Sequence, residues 1–132
     1  MLSLDKQNEL REQYRQMRPE WRPATEVYAQ LVRDYVNAKS ILLDLGCGRG
    51  GLVEQLNHPL SQIIGVDPDW QSLAEHRLNL PRTVGFSGRL PLAANQFDVV
   101  FSSWLLEHLE NPAQDLAEIS RVLRPGGVFV FI

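Results

Sequence analysis

The apolar positions change rhythm once along the chain, near residue 40. Before that point they recur at helical spacing. Leu10, Tyr14, Met17 and Trp21 fall on one face with charged residues between them, which predicts a helix over residues 5–18. Pro19 and Pro23 then interrupt the pattern. Val27, Tyr28, Leu31, Val32, Tyr35 and Val36 form paired apolar positions and predict a second helix, closed by Asn37-Ala38-Lys39-Ser40.

Beyond residue 40, short apolar runs alternate with helical stretches. Residues 41–45 predict a strand that contains one acid, Asp44, and a helix follows over residues 52–56, stopped by Asn57-His58-Pro59. Residues 63–66 predict a second strand, ending in Asp67, and Pro68 suits the first turn of a helix running to about Leu78. A weaker third strand is expected at residues 83–86 and a fourth at residues 97–102. Leu116, Ile119 and Leu123 mark a helix beginning near Pro112, Arg124-Pro125-Gly126-Gly127 stops it, and residues 128–132 predict a fifth strand. Strands alternating with helices through short turns predict an α/β fold, a doubly wound, mostly parallel sheet. The change of rhythm divides the chain into an N-terminal helical cap, residues 1–40, and an α/β domain, residues 41–132.

Composition narrows the function classes. At 132 residues and 44% hydrophobic content the chain can bury one modest core. Its formal charge of −3 argues against a nucleic-acid or membrane-surface protein, whose footprint is a basic excess. Seven basic and six acidic residues precede position 41, and six and ten follow it, so no strongly basic segment is hidden in the total. The single cysteine, Cys47, excludes an internal disulfide and a multi-cysteine metal site. Charged residues punctuate the first twenty positions, where a signal peptide would need an apolar core, and no run approaches the roughly 18 residues of a membrane span. These features predict a cytoplasmic protein of a reducing compartment.

The chemistry concentrates after the first strand, in Asp44-Leu45-Gly46-Cys47-Gly48-Arg49-Gly50-Gly51. Glycines there allow a tight turn and a close approach of backbone to ligand, with free helix N–H groups pointing at it. Gly46, Gly48 and Gly51 satisfy the dinucleotide pattern G-x-G-x-x-G, while Asp44 with Gly46, Gly48 and Gly50 satisfies D-x-G-x-G-x-G. Asp44 decides between them. A carboxylate beside a pyrophosphate costs free energy in a partly dry site, whereas a ligand with a cationic amino-acid end is attracted to it. Asp67, at the end of the second strand, can accept from ribose hydroxyls, and with Pro68 it can also cap the following helix.

With these residues in view, the chain resembles the class I S-adenosylmethionine-dependent methyltransferases, of the small-molecule type that includes quinone-biosynthesis enzymes. The resemblance rests on ILLDLGCGRGGL at 41–52, IIGVDPD at 63–69, GRLPLAANQFDVVFSSWLLEHL at 88–109 and EISRVLRPGGVFVFI at 118–132, in the family's order. It implies that Asp44, Gly46, Cys47 and Gly48 surround the methionine end of the cofactor, with Gly50 shaping the loop. Asp67 would hold the ribose, with Pro68 and Asp69 bordering the adenosine, and Ser87 and Gly88 would follow the adenine edge. Ser102 and Ser103 would face the reactive sulfur, with Trp104 and His108 close by. One departure stands out: aligning Leu90-Pro91 with the family's Leu-Pro puts Phe86 where many members carry an acid that accepts from the adenine amine.

The implied reaction is methyl transfer from S-adenosylmethionine to a small-molecule acceptor by direct displacement, which asks the protein mainly for positioning. His108 and Glu107 are the titratable groups near the end of strand four, and His108 is the catalytic candidate if a base is used. The plainer reading is an apolar helix turn of Trp104, Leu105, Leu106 and Leu109, with His108 lining the site. Cys47 reads as a small residue beside the ligand, not as a nucleophile. Arg11, Arg15 and Arg18 read as a solvated face. Tyr14, Trp21 and Tyr28 read first as packing against the sheet, with Tyr14 kept as a possible cofactor contact. No metal site is suggested.

The family's sheet has seven strands and this sequence reaches five, so truncation and an unpaired edge on strand five are expected, with self-association through that edge. Two other functions are weighed: an NAD(P)-dependent oxidoreductase, which leaves Asp44 unexplained, and a non-catalytic cofactor-binding or regulatory module.

Overall fold

A computed structural model describes residues 2–132. Two helices lead, α1 (Leu4–Met17) and α2 (Ala24–Arg33). Five strands follow: β1 (Leu42–Leu45), β2 (Ile63–Asp67), β3 (Arg82–Val84), β4 (Phe97–Ser102) and β5 (Leu123–Phe131). Helix α3 (Trp70–Ala74) joins β2 to β3, and α4 (Pro112–Val122) joins β4 to β5. The strands form one sheet in the order β3-β2-β1-β4-β5, and every pairing is parallel. This is the doubly wound α/β architecture that the alternation of runs predicts.

The continuous apolar runs of β1 and β4 follow from burial on both sheet faces. On one face Leu42, Val99, Phe101 and Val130 pack beneath Tyr28, Ala29 and Val32 of α2. On the other, Leu43, Leu45, Phe97 and Val100 pack with Ile119 and Val122 of α4. Each fully buried aliphatic or aromatic side chain contributes about 1.5–3 kcal/mol relative to exposure, so the two faces share the stabilisation. Asn111 caps α4 through its side chain, with Pro112 in the first turn, which is why that helix starts where its sequence predicts.

Tyr28 ties α2 to the carboxyl ends of the central strands. Its hydroxyl lies 2.5 Å from the Ser102 carbonyl and 2.6 Å from the Val130 carbonyl, and accepts from the Ser102 N–H at 3.0 Å. Burial pushes the phenol well above its ordinary range. Packing against the sheet is therefore the role of Tyr28, as its spacing suggests.

Several elements depart from expectation. The apolar stripe of α1 faces solvent: Leu10, Tyr14 and Met17 are exposed, and Tyr14 packs edge-on against Trp21 with ring centroids 5.1 Å apart. Residues 52–56 hold a single 3-10 turn, Leu52–Gln55, in place of an α-helix. Helix α3 is short, and Asp69 caps it in place of Asp67, its carboxylate accepting from the Gln71 N–H at 3.1 Å and from the Ser72 hydroxyl at 2.7 Å. The Asp67 oxygens are engaged elsewhere, as described below. Strand β5 begins before residue 128, because Leu123 already pairs with Phe97; the segment between them bulges through Gly126 at φ 81°. Among the described residues no helix is long and apolar enough to cross a membrane.

Candidate functional site

The strand order reverses between β1 and β4, and the carboxyl ends of the strands open there into a crevice, the usual ligand position in open α/β sheets. The loop leaving β1 is anchored to β2: the Gly46 and Cys47 N–H groups both donate to the Val66 carbonyl, at 2.8 and 3.1 Å. Gly46 and Gly48 adopt φ of 76° and 51°, which glycine alone takes without strain. Nothing lies within 4 Å of where a Cβ would stand on Gly48, so its backbone is open to close approach by a ligand. Gly50 has its own reason: a Cβ there would stand 2.9 Å from a Glu54 carboxylate oxygen and 3.4 Å from the His76 ring.

Two carboxylates flank the loop. Asp44 is buried at the end of β1, 7% exposed, and among the described residues its side chain makes no hydrogen bond within the protein. Burial raises its carboxyl to about 7, and the neighbouring negative charge of Asp67 adds to the rise. A buried carboxylate without a donor is costly unless a cation or a proton satisfies it. Asp67 is half-buried. One oxygen accepts from the Gly48 N–H at 2.9 Å and the other from the Asp69 N–H at 2.8 Å, leaving outward lone pairs on both. Cys47 is turned the other way: its sulfur lies where a Cβ on Gly65 would come within 2.8 Å. Burial, with the charges of Asp44 and Asp67, pushes its thiol up to about 12, which removes it as a nucleophile.

Two adjoining cavities continue from the loop. The inner one, about 170 Å³, has Gly46, Val66, Pro68 and Gly85 among its lining residues. The outer, about 410 Å³, is bounded by Gly88 and by Asn111, Gln114 and Asp115 at the start of α4. Phe86, Ser87, His108 and Leu109 line both. Phe86 is 67% exposed, its ring presented to the opening. A Cβ on Gly85 would stand 2.7 Å from Pro91 and 3.1 Å from Val66, so only glycine lets the chain pass behind Phe86.

The structure thus gathers Gly46, Pro68, Ser87 and His108 around one cavity, with Asp44, Gly48 and Asp67 at the loop beside it. Ser102 is fully buried, its hydroxyl without a partner, and it lines neither cavity. Ser103 is half-buried at the end of β4, and Trp104 follows with an exposed ring and φ of 57°, its N–H donating to the Ile132 carbonyl at 2.9 Å. A left-handed tryptophan is strained, and that hydrogen bond to the end of the sheet holds it. His108 is exposed on the 3-10 turn Leu106–His108, 3.9 Å from Glu107, and no other carboxylate pairs with it among the described residues. Tyr14 lines neither cavity.

Two residues beside the site, one on the wall of the outer cavity and one behind the glycine loop, escape sequence reasoning. Asp115 sits on α4, 5% exposed, and accepts a hydrogen bond from the Ser87 hydroxyl. His76 is buried against Gly50 with Nδ1 bonded to the Leu78 backbone and Nε2 unpartnered. Burial lowers its basicity. Neither belongs to a motif, and no local signal marks a contact made across this much sequence.

A family model described as "Methyltransferase domain" matches residues 43–131. A "Probable S-adenosylmethionine-dependent methyltransferase" of Mycolicibacterium smegmatis is 38% identical over 92 residues, covering 67% of this chain and 36% of its own length. A ubiquinone biosynthesis O-methyltransferase of Bradyrhizobium is 29% identical over 112 residues, with 71% and 42% covered. Among solved structures, the S-adenosylmethionine-dependent methyltransferase from Mesorhizobium loti superposes with a TM-score of 0.66 at 26% identity, over 82% of this chain and 53% of the other. The chain spans between a third and a half of the length of the curated relatives it matches.

Proposed function

The chain belongs to the class I S-adenosylmethionine-dependent methyltransferase family, and from that premise we propose that it positions S-adenosylmethionine for direct methyl transfer to a small-molecule acceptor. The observation that carries the reading is Asp44: a buried carboxylate without a hydrogen-bond partner, beside a glycine loop open to close approach, calls for a positively charged ligand. S-adenosylmethionine fits that demand, since its methionine end carries an ammonium group. NAD(P) does not, because its pyrophosphate would lie against the same carboxylate.

When bound, the cofactor supplies a methyl group made electrophilic by its sulfonium. The residues of this chain hold and orient it. Asp44 faces the cationic end, with the backbone of Gly46, Cys47 and Gly48 along it and Gly50 setting the course of the loop. Asp67 uses its outward lone pairs for the ribose hydroxyls while its inner ones keep Gly48 and Asp69 in place. Pro68, Phe86, Ser87 and Gly88 enclose the base. At the end of β4 the half-buried Ser103 is the serine on the side of the reacting centre, with Ser102 buried behind it. His108 reaches the cavity from an exposed turn, where it can take a proton from an acceptor that needs a base. Its exposure favours a lining role when the acceptor is already nucleophilic. Residues 1–40 serve as a helical cap on residues 41–132, held through Tyr28. The charge of −3 and the narrow cavity favour a small, non-nucleic-acid acceptor in the cytoplasm.

Calorimetric titration with S-adenosylhomocysteine, with NADH as control, tests the reading. Binding of the first alone is expected; binding of NADH alone overturns it. A folded protein that binds S-adenosylhomocysteine but methylates nothing in an acceptor screen would instead support a non-catalytic cofactor-binding module.

A further inference from the structure

The ligand loop is held from behind by residues that take no part in the proposed function. After α3 the chain runs back under the loop through Glu75, His76 and Arg77. The Arg77 N–H donates to the Arg49 carbonyl at 3.0 Å, and the Arg49 side chain pairs with Glu75 at 2.8 Å. The Arg77 side chain reaches Glu54, on the turn that follows the loop, at 3.3 Å. Both ion pairs are open to solvent, so each contributes little by itself. His76 is the buried member of the set. Its ring fills the space that a side chain on Gly50 would take, 3.4 Å from that Cβ position, and Gly50 has a φ of 102° that glycine alone takes without strain. Bare loop and buried ring are complementary shapes.

The hydrogen bonds of His76 suit an uncharged ring. Nδ1 accepts from the Leu78 N–H at 3.1 Å, so it carries the lone pair and the ring proton sits on Nε2. That Nε2–H is buried without a partner. A second proton has to enter at Nδ1, where it displaces the Leu78 donor and can turn only to the Leu78 carbonyl, also 3.1 Å away. Burial opposes the resulting charge first, and Arg82 on β3 and Arg77 oppose it further, while the Leu78 carbonyl and Glu54 favour it. Glu75 is committed to Arg49, and Glu54 is already shared with Arg77. A Glu54 oxygen and Nε2 lie against the same side of Gly50, 2.9 and 3.6 Å from its Cβ position. A charged His76 therefore draws Glu54 across Gly50 and away from Arg77.

We propose that neutral His76 is a positioning residue for the ligand loop: it fixes Gly50 from behind and so keeps the Gly48 backbone set for the ligand, while its protonation opens the clasp and weakens binding. The inference rests on the reading of the loop as the cofactor's seat, and adds to it a group that does not touch the cofactor. Asp44 also takes up a proton as pH falls, so a loss of affinity in acid does not by itself identify His76. Linkage separates the two. Where a protonated His76 weakens the cofactor's binding, bound cofactor weakens the proton's binding to His76 by the same factor.

The test follows the histidine ring signals by NMR from about pH 5 to about pH 8, in the free protein and with saturating S-adenosylhomocysteine. The three signals are assigned with His58→Asn, His76→Asn and His108→Asn. Bound ligand is expected to lower the His76 midpoint by about 0.5 in pH or more, the equivalent of about threefold in affinity. His76→Asn keeps an acceptor for the Leu78 N–H but carries no charge and leaves Gly50 unsupported. By calorimetric titration at about pH 8 it should bind S-adenosylhomocysteine roughly three- to tenfold more weakly than the wild type, and it should lose about threefold less affinity between there and about pH 6. A thermal melt checks that the variant is folded. A His76 midpoint that ligand leaves unmoved or raises overturns the inference, as does a ring that stays neutral across the whole range in the free protein. A folded His76→Asn protein with wild-type affinity at every pH overturns it too. A folded wild type that binds no S-adenosylhomocysteine overturns the cofactor reading itself, and the inference with it.

Discussion

The Gly48 N–H donates to a carboxylate oxygen of Asp67 at 2.9 Å, so the residue that would hold a ribose also holds the glycine loop that receives the rest of the ligand. Substitution of Asp67 therefore acts twice. Asp67→Ala removes the outward acceptors and releases Gly48 and the Asp69 N–H. Loss of a charged hydrogen-bonding group is worth about 1.5–3 kcal/mol, which predicts binding of S-adenosylhomocysteine weakened by roughly 10–100-fold in a calorimetric titration.

Asp44 makes the stability of the ligand-free protein depend on pH. Its carboxyl is raised from 3.8 to about 7 by burial, and by Asp67. The folded state thus holds a proton that the unfolded chain gives up. The stabilisation is complete below the unfolded value of 3.8 and is lost as pH rises through about 7. Asp44→Asn, which carries no ionisable group, should be more stable than the wild type at pH 8 by about 2–4 kcal/mol, with the gap closing towards pH 4. Denaturant unfolding at the two pH values checks this. The same variant should bind S-adenosylhomocysteine more weakly, stability gained and affinity lost at one position.

Tyr28→Phe keeps the ring in the core and deletes the hydroxyl between the ends of β4 and β5. The Ser102 N–H and the Val130 carbonyl stay buried without it, while the Ser102 carbonyl keeps the Ile132 N–H at 3.3 Å. Unsatisfied buried polar groups cost about 1–3 kcal/mol each, so a loss of stability in that range is expected from denaturant unfolding.

Gly65→Ala would drive a methyl group against the Cys47 sulfur, 2.8 Å from the new Cβ, and against Leu80 at 3.2 Å. Overpacking of this kind costs about 1–3 kcal/mol. Because Cys47 is part of the ligand loop, the melting temperature should fall and S-adenosylhomocysteine binding should weaken together. The double variant Gly65→Ala, Cys47→Ala should recover much of both.

The parts of the fold legible in the sequence are those fixed by burial on two faces. The runs that form β1, β2 and β4 could be read because both sides of each strand meet apolar neighbours, and the glycine loop because its turn leaves few alternatives. The helices beside the loop were less legible. Asp67 and Asp69 both resemble caps, and only the position of Gly48 in space decides that Asp67 is engaged and that Asp69 starts α3. The stripe of Leu10, Tyr14 and Met17 has a helical period, but periodicity records amphipathicity, not what covers it, and here solvent does. At the site, Asp44, Gly46, Gly48 and Asp67 follow from motif chemistry. Asp115 and His76 do not, since each owes its importance to a neighbour that the chain brings near only after folding.

The contact of Tyr28 with the Val130 carbonyl spans 102 residues of sequence. Closing a loop of that size must precede the gain from the contact, so the bond from Tyr28 to β5 forms after the packing of α2 on Leu42, Val53 and Leu56 can begin. On a ribosome, which releases the chain from its N-terminus, α2 emerges long before the strand ends that its tyrosine joins. Until residue 130 is free, the part of α2 that meets Phe101 and Val130 remains available to any other exposed surface in the cell.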